Sequence, residues 1–163
     1  ERIEAATIEY LSRQIEAGAE VVKLFDSWAG SLSWMDFQAV CVQPIARITA
    51  ALQERHPGVP VIALPRGAGA RFEGFAQATG VQCLAIDQFV PPAWARERLQ
   101  SVGPVQGNLD PLMMVVGGDA LDRAVDAVKA ELSGGPWVFN LGHGITPDAD
   151  PANVERLLKR LRG

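Results

Sequence analysis

A histidine held between two glycines, Gly142-His143-Gly144, ends the apolar run Trp137-Val138-Phe139-Asn140-Leu141. In that setting backbone can approach a ligand closely. The imidazole can then donate hydrogen bonds, or positive charge, to an acidic molecule; the alternative is that it satisfies turn carbonyls. A second polar turn, Gly107-Asn108-Leu109-Asp110-Pro111, follows another strand-like run, and a third is Asp26-Ser27-Trp28-Ala29-Gly30. Ser27 can donate to a carboxylate or tie down its own turn. No base adjoins it in sequence, so it is not read as a nucleophile. Arg66, in Pro65-Arg66-Gly67-Ala68-Gly69, can pair with a carboxylate or stay solvated in a loop. That small-residue run lacks the lysine and spacing of a phosphate-binding P-loop. Asn108 and Asp110 read as turn and helix-cap residues that shape a mouth. Asp87 is left open between pointing into a site and capping the next segment.

Such turns need strands to present them. Apolar runs at 21–26, 59–64, 81–86, 102–106 and 137–141 predict five strands, the fourth weakened by Gly103 and Pro104. Helices alternate with them. Ile8, Leu11 and Ile15 fall at helical spacing before Gly18. Ser33-Trp34-Met35-Asp36 has capping-box form and opens a helix carrying Phe37, Cys41, Ile48 and Leu52, which Pro44 should kink or split. A shorter helix carries Phe72, Phe75 and Ala76, and Pro91-Pro92 opens another. Leu121, Val125, Val128 and Leu132 form the clearest stripe. Asp150 and Pro151 announce a last helix, with Val154, Leu157, Leu158 and Leu161 on its apolar face.

Strands alternating with helices mean an α/β protein with a parallel sheet. Two architectures hold five such units: the C-terminal five βα units of a (β/α)8 TIM barrel, or a complete five-stranded doubly wound parallel sheet. The length suits the second, since a whole barrel needs roughly 200 residues or more. Yet all five predicted strands end in polar or glycine-rich turns, which suits a barrel gathering one mouth from many strands. The partial barrel is the expected fold, as a single domain over residues 1–163.

Composition narrows the partners. Of 163 residues 48% are hydrophobic and 21% charged, with a net charge of −4. Basic residues neither outnumber acidic ones nor cluster, so no nucleic-acid partner is expected. No apolar run has the length of a membrane span, and no leader is visible in the charged opening Glu1-Arg2-Ile3-Glu4. Cys41 and Cys83 form no CxxC or Cys/His pattern, which predicts two reduced, buried thiols in a cytoplasmic protein and no metal site. Trp28, Trp34, Trp94 and Trp137 are read as packing residues, although Trp28 is close enough to Ser27 to line a pocket, and His56 as a surface turn residue. The opening, already in mid-pattern, is expected to belong to a longer protein.

Phe25-Asp26-Ser27-Trp28-Ala29-Gly30, Gln106-Gly107-Asn108-Leu109-Asp110-Pro111 and Phe139-Asn140-Leu141-Gly142-His143-Gly144-Ile145 together resemble the motifs of the uroporphyrinogen decarboxylase family, in order and in spacing. The resemblance covers essentially the whole chain and matches the C-terminal half of that enzyme. It implies a (β/α)8 barrel and a carboxy-lyase of heme biosynthesis. Such an enzyme decarboxylates the four acetate side chains of uroporphyrinogen III to give coproporphyrinogen III. It also implies no metal or organic cofactor, a cytoplasmic homodimer with facing mouths, and Ser27 and His143 as substrate-binding positions, with Arg66 added from its own chemistry. The family's essential aspartate, its substrate-binding arginines and its active-site tyrosine lie in the N-terminal half. No catalytic residue is therefore assigned in this chain, and alone it is expected to be inactive, pairing with itself or with an N-terminal half. Two alternatives remain open: a corrinoid-linked methyltransferase-like barrel, which would need a His/Cys zinc site, and a non-catalytic assembly module.

Overall fold

A computed structural model describes residues 2–163. Its contacts divide it into two compact units, one running to Leu84 and the other beginning at Ala85.

The first unit opens with α1 (Arg2–Glu16), then β1 (Val22–Asp26), a 3-10 turn at Ala29–Ser31, and α2 (Trp34–Phe37). Ser33 caps α2 as its sequence predicts: its Oγ accepts from the Asp36 N–H at 3.2 Å and donates to the Asp36 carboxylate at 2.7 Å. Neither a break nor a sharp stop follows at Pro44. A π-helical turn at Gln38–Val42 leads directly into α3 (Gln43–Arg55), which starts one residue before the proline. The proline sits in the first turn of α3, where its missing N–H costs least, and the wider π turn ahead of it takes up the mismatch. The unit continues with β2 (Val61–Pro65), a 3-10 turn at Gly69–Phe72, α4 (Phe75–Thr79) and β3 (Cys83–Ala85).

β1 runs parallel to β2 in the register Val22↔Val61 through Asp26↔Pro65. β2 runs parallel to β3 through Ile62↔Cys83 and Ala63↔Leu84. All five residues of β2 are buried, as expected of a parallel strand covered on both faces. In β1 the faces differ: Val22 and Leu24 are buried, whereas Phe25 on the other face is 64% exposed. Phe37, Leu52, Phe72 and Phe75 are all but fully buried, and the Phe37 and Phe75 rings lie 5.9 Å apart.

The second unit contains α5 (Pro92–Arg98), β4 (Val105–Leu109), α6 (Met113–Val116), α7 (Gly118–Leu132), β5 (Trp137–Leu141) and α8 (Pro151–Arg162). β4 and β5 are parallel, Val105↔Trp137 through Leu109↔Leu141. Leu121, Val125, Val128 and Leu132 are all buried, so the predicted stripe of α7 is its core face. Leu121 and Val125 pack in one cluster with Leu109, Met114 and Leu157. Asp150 caps α8, its carboxylate accepting from the Ala152 N–H at 2.8 Å. Leu158, by contrast, is exposed.

Pairing within each unit decides between the two architectures. In a flavodoxin-type order the first strand would lie between the second and third; here β2 pairs with β3. In the other doubly wound order the third strand would be an edge, away from the fourth. Instead the Ile86 N–H, just past β3, donates to the Gln106 carbonyl in β4 at 2.8 Å. Within each unit strands pair with their successors in the chain, the connectivity of a barrel and of neither doubly wound order.

Further expectations need correction. β4 begins three residues later than the apolar run suggested, so Gly107 and Asn108 lie inside the strand and not in a turn after it. β3 is only three residues long. Trp28 and Trp34 are not packing residues, being 78% and 62% exposed.

Candidate functional site

In the first unit the loops after β1 and β2 are interlocked. The Arg66 N–H donates to the Asp26 carbonyl at 3.0 Å, and the Gly30 N–H donates to the Arg66 carbonyl at 2.8 Å. A β-carbon on Gly30 would lie 2.7 Å from the Gly67 carbonyl oxygen, so the backbones meet where a side chain has no room. Ser27 stands at the start of the first loop and Arg66 at the start of the second, both half-buried. The two predicted donors are thus held on neighbouring strand ends. The Arg66 Nε is shielded from solvent and has no hydrogen-bond partner among the described residues, which leaves a guanidinium N–H for an incoming acceptor.

Below Ser27, the Asp26 carboxylate accepts from the Trp28 N–H at 3.3 Å. The pKa of the Cys41 thiol is pushed far up, first by burial and then by the Asp26 carboxylate. Burial likewise pushes the Cys83 thiol up to about 11 and the Lys23 ammonium down. Lys23 Nζ lies 4.5 Å from the centre of the Phe25 ring. Both thiols are buried and free, as the sequence predicted.

In the second unit the segment after β3 meets the ends of β4 and β5. Asp87 is fully buried, and its carboxylate accepts from the Phe89 N–H at 3.0 Å, which settles its open reading toward turn stabilisation. Asn108 is a strut: its Nδ2 donates to the Val90 carbonyl at 2.6 Å and to the Asp87 carbonyl at 3.3 Å. Asp110 closes the turn after β4 by accepting from the Leu112 N–H at 2.9 Å. Gly107 has φ +138°, and a β-carbon there would collide with the Ile86 carbonyl oxygen. Its own carbonyl accepts from the Trp137 indole N–H at 2.7 Å. The Gly142 N–H donates to the Leu109 carbonyl at 2.7 Å, and a β-carbon on Gly142 would collide with the Gln88 amide and lie 2.9 Å from the Asp87 carbonyl carbon. His143 follows at once, half-buried, with its Nε2 shielded from solvent.

Of the predicted site residues, Ser27 and Arg66 thus stand on one pair of loops in the first unit, and His143 follows β5 in the second. Sequence reasoning passed over Arg71, whose guanidinium reaches three backbone carbonyls of the first pair. No group of three or more His, Cys, Asp or Glu side chains suited to a metal ion occurs among the described residues. No helix among them is long and apolar enough to cross a membrane.

Comparison with known proteins gives these strand ends a context. A structural likeness extends to a methyltransferase from Methanosarcina mazei, with a TM-score of 0.75 at 20% identity over 96% of this chain and 46% of that one. At that identity the likeness shows the fold alone, a TIM-barrel-like α/β fold. Sequence relatives are much nearer. The chain is 58% identical over 163 residues to the uroporphyrinogen decarboxylase of Paracoccus denitrificans, covering all of this chain and 48% of that protein. It is 58% identical over 162 residues to that of Roseobacter denitrificans, covering 99% and 47%. The chain thus spans about half the length of these curated relatives and matches their C-terminal half. The family model described as uroporphyrinogen decarboxylase (URO-D) matches residues 1–163. On that full-length match, the chain belongs to the uroporphyrinogen decarboxylase family.

Proposed function

We propose that this chain forms the C-terminal half of a uroporphyrinogen decarboxylase, a cytoplasmic carboxy-lyase acting on the four acetate groups of uroporphyrinogen III in heme biosynthesis. The observation that carries the reading is 58% identity along the entire chain to an enzyme of that name. The chemistry of the strand ends agrees with it. A substrate bearing eight carboxylates suits donors at the strand ends: in the first unit the Ser27 hydroxyl and the Arg66 guanidinium with its unpaired Nε, and in the second the His143 imidazole.

In the assembled enzyme a pyrrole α-carbon is protonated, the acetate on the adjacent ring carbon loses carbon dioxide, and the electron pair left behind neutralises the ring as an exocyclic methylene. A proton added to that methylene and the loss of the first proton from the ring carbon then give the methyl group. Such a reaction needs charge stabilisation more than covalent help. Ser27, Arg66 and His143 hold and orient the acid side chains. The group that gathers the pyrrole N–H donors comes from the N-terminal half, supplied by pairing with that half. The whole enzyme works as a homodimer.

The test is anaerobic incubation with uroporphyrinogen III, following coproporphyrinogen by fluorescence after oxidation. The 163-residue polypeptide alone should give no turnover above background. The same polypeptide co-purified with the N-terminal half of the Paracoccus denitrificans relative should give product. Turnover by the polypeptide alone would overturn its dependence on a partner half. A soluble, stoichiometric complex without product would overturn the decarboxylase reading.

A further inference from the structure

Arg71 lies in the 3-10 turn after β2, and its guanidinium works across two loops at once. Its Nε donates to the Ala68 carbonyl at 2.9 Å, within its own loop. Its Nη1 donates to the Leu32 carbonyl at 2.8 Å and its Nη2 to the Gly30 carbonyl at 3.2 Å, both on the loop after β1. Its Cζ lies over the fully buried Phe37 ring, 4.5 Å from its centre. A planar cation held over an aromatic face with three N–H groups already donating has little rotational freedom left.

What it ties together is the pair of loops that present Ser27 and Arg66. Gly30 and Leu32 are three and five residues beyond Ser27, and Ala68 is two beyond Arg66. Direct links between these loops include the backbone hydrogen bonds at Arg66 and Gly30 and the close Gly30–Gly67 approach. Arg71 adds to these links from the side, with side-chain hydrogen bonds to both loops.

We propose that Arg71 is a positioning residue: its guanidinium fixes the loops after β1 and β2 so that Ser27 and Arg66 form one preorganised acid-binding edge. The proposal rests on the reading of Ser27 and Arg66 as substrate contacts. Preorganisation lowers the ordering cost of binding, so its loss weakens binding without removing a group that touches substrate. Lysine is no substitute, because a compact ammonium on a single stem cannot reproduce the spread of the guanidinium's Nε, Nη1 and Nη2 donors to three separate carbonyls.

Two measurements on Arg71→Met and Arg71→Lys decide it. The first is amide hydrogen exchange on the 163-residue polypeptide. Exchange at Gly30 and Arg66 should quicken roughly tenfold or more in both variants, with the amides of α7 unchanged as an internal standard. The second is steady-state kinetics in the complex with the N-terminal half. KM for uroporphyrinogen III should rise about tenfold with kcat within about twofold of the unsubstituted complex.

Unchanged exchange at both amides overturns the proposal. So does faster exchange with unaltered KM, or wild-type behaviour of Arg71→Lys in both measurements, which would mean that charge alone suffices. If Arg71→Met loosens the entire unit, the lysine variant carries the comparison. An inactive unsubstituted complex counts against the decarboxylase reading, and the exchange experiment then decides the role of Arg71 by itself.

Discussion

At Gly142 there is no room for a methyl group. Its α-carbon lies against the Asp87–Gln88 peptide, and its N–H is taken by the Leu109 carbonyl. Gly142→Ala must therefore push the end of β5 away from the turn after β3, and His143 moves with it. Overpacking of this kind costs about 1–3 kcal/mol, which urea denaturation will read as a lowered midpoint with unchanged slope. Asn108 gives a second prediction. Its amide donates to two carbonyls from within a buried strand, so Asn108→Asp removes both donors and buries a charge. A loss of about 1–3 kcal/mol for the unsatisfied carbonyls is the minimum expected, and stability should recover partly at low pH, where the new carboxyl is protonated. The sequence had already marked Gly142, His143, Ser27 and Asn108, because each combines a polar group or a glycine with a strand end. It had no means of marking Arg71, whose Leu32 and Gly30 acceptors lie 39 and 41 residues back along the chain. Nor could it show that Trp28 and Trp34 are exposed. A large aromatic beside a loop looks the same in sequence whether it packs inward or outward.

Among the elements, α1 and α3 are joined by a two-pronged ion pair. Arg47 Nε and Nη2 donate to the two Glu4 carboxylate oxygens, each at 2.7 Å. The Arg47 hydrogen bond holds the Glu4 carboxyl down from 4.5 to about 2. A carboxyl whose pKa is lowered by folding stabilises the fold when ionised, so this contribution is complete above about pH 4.5 and fades as the pH falls toward 2. Glu4→Gln should therefore unfold at lower denaturant than the unsubstituted chain at pH 6, and the gap should close on acidification toward pH 2. A gap that persists at the acid end would show that the carboxylate pair is not its source. α8 is anchored to α7 in a similar way, Arg156 to Asp122 at 2.8 and 2.9 Å and Arg160 to Asp126. These arginines hold both aspartyl carboxyls below their ordinary range. Elements with a strong period or an explicit cap were legible: the stripe of α7, the Ser33 and Asp150 caps, the break after α1. β4 was not, because its position is decided by partners outside the local sequence. The Trp137 indole and the Asn108 amide bonds draw Gly107 and Asn108 into the strand, although a glycine-asparagine pair reads locally as a turn.

For the molecule as a whole, the exposed strand faces bear on association. In the first unit β1 pairs along one edge with β2, and Phe25 on it is largely exposed next to half-buried Lys23. In the second, β5 pairs along one edge with β4, and Val138 on it is also exposed. A parallel strand is ordinarily covered on both faces, and a strand edge offers a ready template for another chain. The curated relatives, about twice this length, carry further chain that can meet both needs. Alone at rising concentration, the 163-residue polypeptide should self-associate, with a sedimentation coefficient that climbs with loading. Addition of the N-terminal half of the Paracoccus denitrificans relative should replace those species by a one-to-one complex. Amides of β1 and β5 should then exchange more slowly, while those of β2, buried from end to end already, should change least. A polypeptide that stays monomeric at every concentration, with β1 and β5 amides indifferent to the added half, would show that these faces need no partner.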